Sequence, residues 1–117
     1  MMEPRWLKMR MLHYLFSSSE GKDVAHCLDL DLVASGKTRE EATKRLTAIV
    51  KAHVELALDR GNYGSLATAA PKKYWELFFN GKPTPTHKHY ISIRTPDILP
   101  SESQMSEVPV LEAAVAA

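Results

Sequence analysis

The stretch Val24-Ala-His-Cys-Leu-Asp-Leu-Asp-Leu-Val-Ala-Ser-Gly36-Lys-Thr38-Arg-Glu-Glu41-Ala42 decides the fold. Its first half alternates: Val24, His26, Leu28, Leu30 and Leu32 share one face, and Ala25, Cys27, Asp29 and Asp31 the other. That is the period of a half-buried strand, with a break or bend near Asp29–Asp31. Ser35-Gly36-Lys37 ends it. Thr38 then offers a hydroxyl N-cap and Glu41 follows three residues later, a capping box that starts a helix. Glu40 and Glu41 put negative charge at the positive end of the helix dipole.

Working outward, Met9–Phe16 reads as a second strand, and Ser17–Asp23 as the turn of an antiparallel hairpin. Downstream, Ala42, Leu46, Ile49, Val50, His53 and Ala57 make one apolar stripe at helical spacing, and Gly61 ends the helix. Asn62–Ser65 is a loop. A shorter helix starts at Pro71 and runs through Phe79, Pro83–Thr86 is a stiff extended link, and His89, Ile91 and Ile93 alternate as a third strand closed by Pro96. The expected fold is α+β: a small antiparallel sheet with the long helix covering one face, both helices lying on the same side.

The chain has 117 residues, one domain's worth, with 44% hydrophobic and 25% charged residues, which excludes a disordered or fibrous protein. A formal charge of +1 excludes a polycation held on nucleic acid by bulk electrostatics. One cysteine, Cys27, rules out an internal disulfide and suits a reducing cytoplasm. No stretch approaches the ~20 apolar residues of a membrane span. The expected location is the cytoplasm.

Charge divides the chain into three parts. Residues 1–8 form a basic arm, with Trp6 between Arg5 and Lys8. Residues 9–96 form the α+β domain. Residues 97–117 carry Asp97, Glu102, Glu107 and Glu112 and no Lys or Arg, and are expected to be a flexible acidic tail.

The run from Val24 to Ala42 resembles the N-terminal domain of the HicB-like antitoxin family of toxin–antitoxin systems. The resemblance covers about residues 9–58, and Gly36, Thr38, Glu41 and Ala42 stand at the positions of the family's Gly-x-Thr-x-x-Glu-Ala entry into the main helix. It implies a partial ribonuclease-H-like α+β fold without nuclease residues. It also implies binding to a small, basic HicA-like ribonuclease toxin, which is neutralised by occlusion. The family's usual C-terminal DNA-binding motif has no counterpart in residues 97–117, so operator binding is not expected.

Candidate residues follow. Asp29, Asp31 and Glu20 would offer acidic contacts to a basic partner, with Trp75 and Phe79 as aromatic anchors. On a straight strand Asp29 and Asp31 share a face, and paired carboxylates of that kind can hold Mg²⁺ for a degenerate nuclease; the blander reading is a solvated acidic face. His87 and His89 share a strand face, but no zinc-type spacing accompanies them. Cys27 has no base beside it, since His26 points the other way, so it reads as a packed thiol. No catalytic residue, metal ligand or cofactor is assigned, and the chain is expected not to be an enzyme. The alternative is an orphan structural domain that self-assembles into a homo-oligomer through its sheet edges.

Overall fold

A computed structural model describes residues 11–96 and 103–116; the expected basic arm, residues 1–8, lies outside them. The elements run β1 (Leu12–Ser19), β2 (Lys22–Cys27), β3 (Leu32–Gly36), α1 (Arg39–Asp59), a 3₁₀ turn (Tyr63–Leu66), α2 (Lys72–Phe79), β4 (Lys82–Pro96) and β5 (Ser103–Ala114). The fold is α+β, with a long helix packed on a mixed sheet.

Among the described residues the sheet has five strands, in the order β3-β2-β1-β5-β4. β1 and β2 form the expected hairpin, pairing Ser19 with Lys22 across Glu20 and Gly21. Both turn residues have positive φ (52° and 79°), the geometry that matches strand twist in a two-residue turn and that favours glycine. The sequence around Asp29–Asp31 does break. Leu28–Asp31 is a turn, and β3 returns antiparallel to β2, with Ala25 opposite Ala34.

Four expectations are corrected. Residues 103–114 of the supposed flexible tail form β5, which pairs in parallel with β1 and antiparallel with β4. β5 is therefore interior to the sheet, and the sheet is mixed rather than antiparallel. The link Pro83–Thr86 is part of β4, at a register shift between Pro83 and Lys88. The two helices lie on opposite faces. α1 covers Leu12, Tyr14, Phe16, Ala25, Cys27, Ile91, Ile93, Val108 and Val110, whereas α2 sits on Leu15, Leu28 and Ala113. The helix-covered face of β2 is the small one, Ala25 and Cys27, because close backbone approach lets a 21-residue helix lie flat.

The entry to α1 is built as expected. Glu41 N–H donates to Thr38 Oγ1 at 3.1 Å, and the Glu41 carboxylate accepts from the Lys37 N–H at 3.1 Å. A Cβ on Gly36 would stand 2.8 Å from the Ala42 nitrogen and 2.9 Å from Glu41 Cβ, so only glycine lets the strand end this close to the helix. The buried stripe of α1 is Ala42, Leu46, Val50, Val54, Ala57 and Leu58. It is rotated from the expected one: Ile49 is exposed, and His53 Nε2 lies at the edge, 3.0 Å from the Ser65 carbonyl oxygen. No helix among the described residues is long and apolar enough to cross a membrane.

Candidate partner-binding face

The turn between β2 and β3 makes the site. Its backbone turns sharply, with Asp31 at φ 52°, a left-handed conformation that Asp adopts more readily than most residues. The two aspartates consequently part company, correcting the expectation that they share a face. Asp29 is buried. Its Oδ1 accepts from the His13 N–H at 2.6 Å, and its Oδ2 lies 3.1 Å from His13 Nδ1. Asp31 stays exposed, with Oδ1 2.7 Å from Nε2 of the buried His26. A pair of divalent-ion ligands would need both carboxylates free and converging. Each is instead committed to a different imidazole.

Those imidazoles are the seat of α2. The His13 ring meets Trp75 and Phe78 edge-on, at 5.0 and 5.1 Å between centroids, and the His26 ring meets Tyr74 at 4.9 Å. Main-chain bonds continue the join. Leu28 N–H donates to the His13 carbonyl at 2.9 Å, and Ala70 N–H to the Leu28 carbonyl at 2.7 Å. Trp75 Nε1 donates to the Ala70 carbonyl at 3.1 Å, so its polar tip is satisfied while its ring is half-buried.

An eight-residue helix has room to bury only one row of side chains, and Phe78 fills it. Its neighbours on either flank are left out. Phe79 is 71% exposed and stacks on Trp75 at 6.3 Å with 25° between the ring planes; Leu77 is 41% exposed. On the Leu77 side, a groove of about 400 Å³ opens between α2 and β2–β3, lined by Leu15, Val24, His26, Val33, Tyr74 and Leu77. Apolar surface therefore lies on both flanks of α2, with the Asp31 carboxylate at the rim of the groove.

No family model, curated protein or solved structure matches this chain. The physical description of the face therefore stands by itself.

The site residues named from sequence divide as follows. Asp29, Trp75 and Phe79 come together around His13, and Asp31 lies beside them through His26. Glu20 does not join them. It is exposed at the hairpin tip, at the opposite end of β1 from His13. Gly36, Thr38, Glu41 and Ala42 build the entry to α1 and have no part in this face. The packing of His13 and His26 against α2 was not legible. Both alternate with apolar residues along a strand, and only their burial against α2 singles them out. Cys27 is a packed thiol on the α1 side. Burial, with a smaller contribution from the nearby Asp29 charge, pushes it up to about 12. Among the described residues, no group of three or more His, Cys, Asp or Glu is arranged to hold a metal ion.

Proposed function

We propose that this chain is an antitoxin-like protein-binding module, which neutralises a small, basic HicA-like ribonuclease toxin by covering its working surface through the α2 face. The observation that carries the reading is Phe79, largely exposed and stacked on Trp75 at the edge of a helix seated on the His13 and His26 rings. An exposed aromatic pair on one flank of α2, with an apolar groove on the other, is the composition of an interface anchor. The capped entry at Gly36, Thr38, Glu41 and Ala42 supports the family resemblance from the other side of the molecule. Asp31 at the groove rim supplies negative charge toward a basic partner, which speeds encounter more than it sets affinity.

The test is to look for a small gene beside the chain's own and to co-express its product; absence of such a gene counts against the proposal. Recovery of a stable complex, together with rescue of growth from that gene's toxicity, supports the proposal. A Phe79→Ala variant that folds normally yet loses rescue places the contact on α2. A folded wild-type chain that neither binds nor protects against the neighbour refutes it.

A second reading, self-assembly through a sheet edge, rests on β4 being, with β3, an outer strand of the sheet among the described residues. That edge is partly covered: the Arg94 N–H is taken by Glu55 Oε2 of α1 at 2.8 Å. Light scattering on the purified chain distinguishes the two readings, since a monomer at high concentration removes the second.

A further inference from the structure

Asn80 and Gly81 join α2 to β4, and they are the one Asn-Gly pair in the sequence. Space accounts for the glycine. The chain turns here to bring Lys82 beside Ala114 in the sheet. A Cβ at position 81 would stand 2.5 Å from the Ala114 carbonyl oxygen, 3.0 Å from that of Leu77 and 3.2 Å from that of Phe78. Three main-chain carbonyls close on the turn, so no residue with a side chain fits. Asn80 caps α2 through its main chain, its N–H donating to the Glu76 carbonyl at 3.0 Å, and the residue is exposed.

An exposed asparagine followed by glycine is chemically labile, because nothing on the glycine shields its nitrogen. The Gly81 nitrogen loses its proton to solvent base and attacks Cγ of Asn80. The new N–Cγ bond closes a five-membered imide, and the side-chain nitrogen leaves as ammonia. Water then opens the ring. Cleavage of the N–Cγ bond gives aspartate; cleavage of the bond between that nitrogen and the main-chain carbonyl carbon of residue 80 gives isoaspartate. Water is the only other reactant. Asn62, the other asparagine, is followed by Tyr63, whose side chain crowds the corresponding nitrogen.

The docked helix holds the reaction back. Asn80 has ψ 4°, and the Gly81 N–H is donated to the Phe78 carbonyl at 3.1 Å. Attack requires the nitrogen to swing toward Cγ, so that bond must break and ψ must change. Only the last turn of an eight-residue helix has to open, and short terminal turns open at low cost.

We propose that Asn80 is a site of spontaneous deamidation, gated by opening of the last turn of α2, and that its isoaspartyl product unseats that end of the helix. Isoaspartate adds one carbon–carbon bond of about 1.5 Å to the main chain. It does so beside the turn where three carbonyls leave no room for a methyl group. Phe79 and its stacking partner Trp75 lie immediately before it. The consequence for a partner rests on the α2 face being the binding surface; the chemistry does not.

The experiment ages the full chain in mildly alkaline buffer, folded and in urea, and follows Asn80 and Asn62 by peptide mapping with enzymatic isoaspartate detection. The expected result is conversion of Asn80 in the folded chain, slowed about 10- to 100-fold relative to urea, with Asn62 retained. Asn80→Ser should abolish the isoaspartate signal. The isoaspartyl fraction, separated by ion exchange, should show a shifted Trp75 indole N–H resonance, the proton now held by the Ala70 carbonyl. Asn80→Asp carries the same charge without the extra bond and should keep the wild-type resonance. Slowing of less than about tenfold, or no conversion over about a hundred half-lives of the unfolded chain, overturns the gated site. An unchanged Trp75 resonance in the isoaspartyl fraction, or the same shift in Asn80→Asp, overturns the unseating. No readout involves a partner, so failure here is distinct from failure of the antitoxin reading.

Discussion

At Cys27 the thiol is fully buried under α1, and its ionisation is pushed from 9.0 to about 12, mainly by loss of solvent. The unfolded chain ionises this thiol more readily than the folded one, so its contribution to stability is complete below pH 9.0 and is lost as the pH rises toward about 12. Tyr14 is pushed up in the same sense by its burial, against the opposing hydrogen bond to Thr47, and adds to the same alkaline loss. Urea midpoints measured from pH 7 to 11 should therefore fall in the alkaline half of the range, and a thiol reagent at pH 8 should leave the native protein unlabelled but modify it fully in urea. Asp29 and Asp31 should differ although they are two residues apart. Asp29→Ala removes the buried carboxylate that takes the half-buried His13 N–H and should cost about 1–3 kcal/mol, whereas Asp31→Ala, which removes an exposed carboxylate, should cost about 1 kcal/mol or less. Urea denaturation of the two variants tests the ranking, and equal losses would contradict it.

At the scale of elements, α1 is a helix whose start is written in its side chains and whose docking is written in one missing side chain. Thr38→Ala should cost about 1 kcal/mol through the lost cap. Gly36→Ala should cost about 1–3 kcal/mol, because a methyl group must be forced between a strand end and the Ala42 nitrogen. Thermal unfolding followed by circular dichroism resolves both, and the Gly36 variant should be the worse. α2 is the opposite case. It is too short to be stable alone, and it persists because His13 and His26 hold its aromatic residues against the sheet. Phe79→Ala should leave the melting temperature within a degree or two while removing at least about 2 kcal/mol from binding of a partner at this face, the size of an interface hot spot.

At the scale of the whole molecule, β5 joins the two halves of the sheet. It lies between β1 and β4, and Val108 and Val110 stand in the core beneath α1. A chain ending at residue 102 should lose cooperative unfolding and near-ultraviolet dichroism; a truncated chain that still melts in one sharp transition would contradict the central place of β5. Local order was legible from residues close together in sequence: the hairpin, the capping box from Thr38 to Glu41, the break at Asp29–Asp31, and the alternation of Ile91 and Ile93. Each depends on hydrogen bonds or periodicity within a few neighbours, and those are carried by the sequence itself. The expected acidic tail failed as a reading because β5 follows Val108, Val110 and Glu112 on its inward side, and a carboxylate in that row hides the period of a strand. The rotation of the α1 stripe, the placing of two helices on opposite faces and the meeting of His13 with Trp75 share one cause. They depend on which distant segments come into contact, and that is settled by how much surface each face can bury once all the strands are paired.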